Sequence, residues 1–105
     1  MADYLLLYAG GKMPESEEEQ ATVMKAWDEW MHELGGSLKD GGNPFTPQAK
    51  TISSSGEVSD GAAGSASGYS IITADSLDEA TEKAKGCPVL QGGANITVYE
   101  TFAVM

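Results

Sequence analysis

Asp3-Tyr4-Leu5-Leu6-Leu7-Tyr8-Ala9 reads as a β-strand with two apolar faces. Leu5 and Leu7 point one way, while Tyr4, Leu6 and Tyr8 point the other. A strand of this kind needs cover on both sides. Gly10-Gly11 ends it, and Ser16 with Glu19 three residues later forms a capping box that opens a helix, with Pro14 just upstream. From Glu17 to Leu34, the residues Val23, Met24, Trp27, Trp30, Met31 and Leu34 recur every three or four positions and so form one apolar stripe. Glu17, Glu18 and Glu19 sit at the positive end of the helix dipole, and Gly35-Gly36 supplies the stop.

Beyond this helix the signals are shorter. A brief strand is expected over Ser37 to Lys39, before the turn forced by Asp40-Gly41-Gly42-Asn43-Pro44 and Pro47. Lys50 to Ser54 and Glu57 to Ser59 flank Ser55-Gly56 as a hairpin of polar, edge-lying strands. Asp60 to Gly68 holds no side chain larger than Asp and cannot build a core of its own. Tyr69 to Ala74 reads as a strand with Tyr69 and Ile71 on one face and Ile72 on the other. Ser76 and Glu79 make a second capping box, for a helix running to about Lys85 and stopping at Gly86. Ile96 to Val104 is expected to close the chain as a strand, with Ile96, Val98, Phe102 and Val104 opposed by Tyr99.

This order matches a ferredoxin-like βαββαβ plan of the α+β class, with a hairpin inserted in the middle and both helices on one face of the sheet. The other face of the Asp3–Ala9 and Tyr69–Ala74 strands is then left bare. A bare apolar sheet implies an interface, so two copies are expected to pack sheet to sheet as a dimeric α+β barrel. The 105 residues suffice for one domain, 1–105.

Six Lys against sixteen Asp and Glu give a net charge of −10, with no Arg. That balance argues against nucleic acid and membrane surfaces as partners and removes the usual bidentate anion clamp. A single cysteine, Cys87, allows neither an internal disulfide nor a multi-thiolate site, and it suits a reducing, cytoplasmic setting. The N-terminal apolar run lacks the basic start and length of a signal peptide, and no stretch approaches the roughly 20 apolar residues of a membrane span.

With these elements in place, the chain resembles the YCII-related family. The resemblance spans nearly the whole length. It rests on Tyr4-Leu-Leu-Leu-Tyr8, Glu33-Leu-Gly-Gly-Ser-Leu-Lys-Asp-Gly-Gly-Asn-Pro44, Asp60-Gly61, Gly68-Tyr-Ser-Ile-Ile72 with Leu77-Asp-Glu-Ala80, and Gly86-Cys-Pro88 leading into Gly92-Gly93. It implies a dimeric α+β barrel. The family's Asp-Gly-Pro-Phe motif is half present, because Ala62 and Ala63 follow Asp60-Gly61. For some members the resemblance implies a His and an Asp in a cleft, but His32 does not fall on the matching position.

Several residues stand out as candidates. His32 lies about 140° around the helix from Trp27, on its solvent side. Asp28, four residues earlier, could pair with it as an acid–base dyad, or the two could be an ordinary exposed pair. Asp60 heads a glycine-rich loop where backbone can approach a ligand, or it serves as an Asx-turn carboxylate; Asp40 before Gly41-Gly42 carries the same pair of readings. Tyr69 and Tyr99 offer hydroxyls to a cleft or are routine strand tyrosines. Cys87 follows the negative end of a helix and reads as packing.

Trp27, Trp30 and the methionines line a pocket or a core, and helical spacing favours the core. One His and one Cys cannot supply the N/S set of a zinc or haem site, which leaves only an all-carboxylate site open, and Gly10-Gly11-Lys12 lacks the rest of a phosphate loop. No cofactor and no metal is expected. The reading is a dimeric module that binds a small apolar or cyclic molecule, with Asp40, Asp60 and Tyr69 as ligand contacts. Two rivals stand beside it: a cofactor-free isomerase, lyase or monooxygenase acting on a small cyclic compound through Asp60 or His32, and an accessory protein docking through its acidic face.

Overall fold

The computed structural model describes residues 2–11, 15–62 and 64–104, so the expectations placed on Lys12, Pro14 and Ala63 lie outside the described residues. In chain order the elements are β1 (Ala2–Ala9), α1 (Glu17–Leu34), β2 (Leu38–Asp40), β3 (Lys50–Ile52), β4 (Val58–Asp60), β5 (Ala66–Ala74), α2 (Leu77–Ala84) and β6 (Asn95–Glu100). Short 3₁₀ turns occupy Gly35–Ser37 and Pro88–Gly92. The main sheet has the order β2-β5-β1-β6 and every pairing in it is antiparallel, while β3 and β4 form a separate hairpin. This is the ferredoxin-like α+β arrangement, with the hairpin inserted between β2 and β5.

Both helices start where local chemistry dictates. Ser16 Oγ accepts the Glu19 N–H at 3.1 Å, and Ser76 Oγ accepts the Glu79 N–H at 3.1 Å. The glutamates reach back in turn, Glu19 to the Glu15 N–H and Glu79 to the Asp75 N–H, each one residue before the cap. Gly35 adopts a positive φ of 52° at the end of α1 and donates its N–H to the Met31 carbonyl.

Both helices pack on the face formed by Tyr4, Leu6, Tyr8, Ile72 and Ala74. Ala80 and Ala84 are buried there, small enough for α2 to approach closely, and Trp30 and Leu34 anchor α1. The Trp30 indole N–H donates to the Lys83 carbonyl at 3.1 Å and so ties the two helices together. Tyr8, Trp27 and Trp30 meet edge-on, with ring centres 5.9 and 5.6 Å apart, and fill the helix–sheet layer.

One helix face and several strand ends depart from expectation, the hairpin strands among them, which run Lys50–Ile52 and Val58–Asp60 against the expected Lys50–Ser54 and Glu57–Ser59. The apolar stripe of α1 is covered only in its second half: Trp30 and Leu34 are buried, whereas Met24 is 70% exposed. The second strand sits one residue later than expected, since the 3₁₀ turn consumes Ser37. β5 begins at Ala66, inside the small-residue segment. A side chain at Gly68 would meet the Asn43 carbonyl and Pro44 Cα at 3.2 Å, so small residues there admit a neighbouring strand. β6 stops at Glu100. In its register with β1, Tyr4 faces Glu100; beyond that pair Thr101 donates its N–H to the Asp3 carbonyl at 3.0 Å, and Phe102 is 83% exposed.

Candidate functional site

The register sorts the candidate residues by face. Opposite the helices, β1 presents Asp3, Leu5 and Leu7; Leu5 pairs with Ile71 of β5 and Tyr99 of β6, and Leu7 with Tyr69 and Thr97. Leu5, Leu7, Tyr69 and Ile71 are half-buried by their strand neighbours, and Tyr99 is exposed. The shortest dimension of the chain, 18 Å, accommodates one sheet and one helix layer, so among the described residues no second layer covers this face. Lys39 pairs with Asp3 at its border.

Phe45 completes the apolar surface. Its ring stacks on Tyr69 with centres 6.0 Å apart and planes at 29°, and its N–H donates to the Ser67 carbonyl at 2.8 Å. The chain is brought there by Gly42, whose φ is +70° and where any Cβ would stand 1.7 Å from the Tyr69 carbonyl oxygen. Sequence reasoning passed over Phe45. The available signal was an aromatic residue held between Pro44 and Pro47.

The carboxylate and imidazole candidates do not converge. Asp60 closes the β3–β4 hairpin, exposed and paired with Lys50 at 2.9 Å. Asp40 accepts the Gly42 N–H at 2.8 Å, which is Asx-turn geometry. His32 is exposed on the outer side of α1. Among the described residues, no hydrogen bond or ion pair joins Asp28 to His32, or any two of Asp40, Asp60 and His32. Nor does any cluster of three or more His, Cys, Asp or Glu side chains able to hold a metal occur among those residues.

One polar chain does run through the interior. The Cys87 thiol lies 3.5 Å from the Tyr8 hydroxyl, which donates to Ser70 Oγ at 2.7 Å, and Ser70 donates onward to the Gly41 carbonyl at 2.8 Å. Burial pushes both the Tyr8 hydroxyl and the Cys87 thiol above their ordinary ranges. Both therefore favour the protonated form at neutral pH, and Cys87 packs within the buried core. Ser70 was legible only as a polar residue in the row that also holds Ile72.

Two open surface depressions lie elsewhere. One is framed by Pro47, Ala49, Lys50 and Asp60 at the base of the hairpin, and the other by Asp3, Glu100 and Phe102. Among the described residues, no helix is long and apolar enough to cross a membrane.

Fold and faces together define a ferredoxin-like α+β domain with one bare sheet face. No family model matches the chain, and no curated protein matches it. Among solved structures, the chain is similar to the 5-chloro-2-hydroxyhydroquinone dehydrochlorinase of Burkholderia phenoliruptrix in complex with 2,5-dihydroxybenzoquinone. The TM-score is 0.54 at 19% identity, over 94% of this chain and 93% of that one. At that identity the likeness is one of fold.

Proposed function

We propose that this chain is a YCII-related homodimeric module that joins through its bare sheet face and binds a small apolar or cyclic molecule beside Phe45 and Tyr69. The observation that carries the proposal is the uncovered surface of Leu5, Leu7, Tyr69, Ile71 and Tyr99 on a sheet backed by helices on one side only. Water against such a surface is costly, and a two-fold copy of the same patch is its natural cover. The stacked Phe45–Tyr69 pair offers a flat ledge at the margin of that face, suited to a planar ring. Asp40, Asp60 and His32 stand apart, which supports binding over acid–base chemistry. The net charge of −10 weighs against nucleic acid or an anionic membrane as partner.

The second reading is a cofactor-free enzyme acting on a small cyclic substrate. It draws on the activity and ring ligand named for the similar structure, and it lacks a convergent set of catalytic groups in a single chain.

Sedimentation at micromolar concentration tests the dimer: wild type runs as a dimer and Leu5→Glu as a folded monomer. A monomeric wild type removes the proposal. Calorimetric titration with 2,5-dihydroxybenzoquinone tests the ledge, with Phe45→Ala expected to weaken binding about tenfold. Equal affinity for both proteins removes the ledge as the binding place.

A further inference from the structure

The hairpin of β3 and β4 is well made, and its apolar pair is left uncovered among the described residues. Its ends are tied by the Gly61 N–H donating to the Ala49 carbonyl at 2.8 Å and by Thr51 Oγ1 donating to the Gly61 carbonyl at 2.8 Å. Its turn is tied by the Ser53 N–H to the Glu57 carbonyl at 2.8 Å and the Gly56 N–H to the Ser53 carbonyl at 2.9 Å. Ile52 and Val58 face each other across the two strands, yet are 68% and 58% exposed. A two-stranded hairpin in water is marginal on its own, and an ordered one with its apolar pair uncovered needs a surface to lie on.

The shape of the molecule says where that surface is. The radius of gyration is 15.2 Å, against about 13 Å for a compact chain of this size. Its extents are 43 × 39 × 18 Å, so the excess lies within the plane of the slab, and the hairpin is folded over neither face. It overhangs its own body, starting a few residues beyond Phe45 at the margin of the bare face.

Charge then selects the occupant. A chain of net charge −10 can meet a copy of itself only where its acids are neutralised. Asp3 is neutralised by Lys39 on the sheet face, and Asp60 by Lys50 on the same side of the hairpin as Ile52 and Val58. The third charge of the hairpin, Glu57, lies in the connecting turn. From uncovered order, in-plane overhang and local neutrality we infer that the β3–β4 hairpin is an arm lying against a second copy of the chain, with Ile52 and Val58 as its contact pair. The inference rests on the dimer proposed above. In a two-fold pair each copy then holds the other twice, through the shared face and through two arms.

The test is the dimer dissociation constant of Ile52→Ser/Val58→Ser, measured by sedimentation beside wild type and Leu5→Glu. The arm variant keeps its far-ultraviolet spectrum, because both side chains are exposed, and its dissociation constant rises at least about tenfold. A dissociation constant equal to that of wild type overturns the arm and leaves the sheet-face dimer standing. A monomeric wild type overturns both.

A second measurement does not depend on affinity. Ile52→Cys carrying a nitroxide is mixed with ¹⁵N-labelled wild type, the native Cys87 being too buried to take the label. Line broadening in the labelled copy supports the arm. A mixed dimer with no broadening overturns it.

Discussion

Removing the hydroxyl of Ser70 tests the interior more sharply than any other single change. Ser70 accepts from Tyr8 and donates to the Gly41 carbonyl, so Ser70→Ala strips partners from two groups at once. Tyr8 is 4% exposed and its hydroxyl has no water to turn to, whereas Gly41 is only half-buried. At about 1–3 kcal/mol for each polar group left unpaired, with the Gly41 carbonyl toward the low end, the variant loses about 2–4 kcal/mol. Tyr8→Phe is milder. Ser70 keeps its bond to Gly41, only the weak Cys87 thiol donor is stranded, and the cost is about 1 kcal/mol.

In the double variant the Tyr8–Ser70 bond disappears from both sides, and only the Gly41 carbonyl and the weak Cys87 thiol donor are left wanting. It should therefore cost no more than Ser70→Ala alone, giving a coupling of about 1 kcal/mol or more. Urea unfolding of all four proteins at one fixed concentration measures the cycle, the concentration being held because dimerisation contributes to stability. Additive losses, or a Ser70→Ala loss below about 0.5 kcal/mol, would show that the buried chain is not intact and refute the reasoning.

Two further outcomes follow from the same geometry. Gly42→Ala places a Cβ 1.7 Å from the Tyr69 carbonyl oxygen at a φ of +70°, so the loop that carries Phe45 cannot close; we expect a lower unfolding midpoint than for Gly64→Ala, where space is open, and equal midpoints would contradict the stated approach. Burial raises the Cys87 thiol above its ordinary value near 9.0, so the folded chain holds this proton more tightly than the unfolded chain. That contribution is complete below about pH 9 and is lost as pH climbs above it. Urea midpoints measured between neutral and alkaline pH should fall less steeply in Cys87→Ala, and identical slopes would remove thiol burial as a cause.

The helices were legible because their signals are local. Ser16 with Glu19 and Ser76 with Glu79 act within one turn of chain, and Glu17 and Leu34 bound α1 as the spacing predicts. The two-faced character of β1 was equally plain, since alternation assigns Leu5 and Leu7 to one side whatever the partners are. Tyr69, readable from the sequence either as a cleft hydroxyl or as a routine strand tyrosine, lies on the bare face, where the approach of Phe45 gives it a neighbour to stack on.

What the amino-acid order determined by itself was the list of elements, their faces and the need for cover on both sides of β1. The tertiary structure alone decided how far each strand runs and which side chains meet. β6 ends at Glu100, opposite Tyr4, although Phe102 and Val104 continue the alternation. Asp60 is held by Lys50 on a hairpin, and Asp40 by the Gly42 N–H. Alternation and capping are set by covalent neighbours, whereas strand length and side-chain meetings depend on residues tens of positions apart, whose approach is settled only when the sheet and the helices pack.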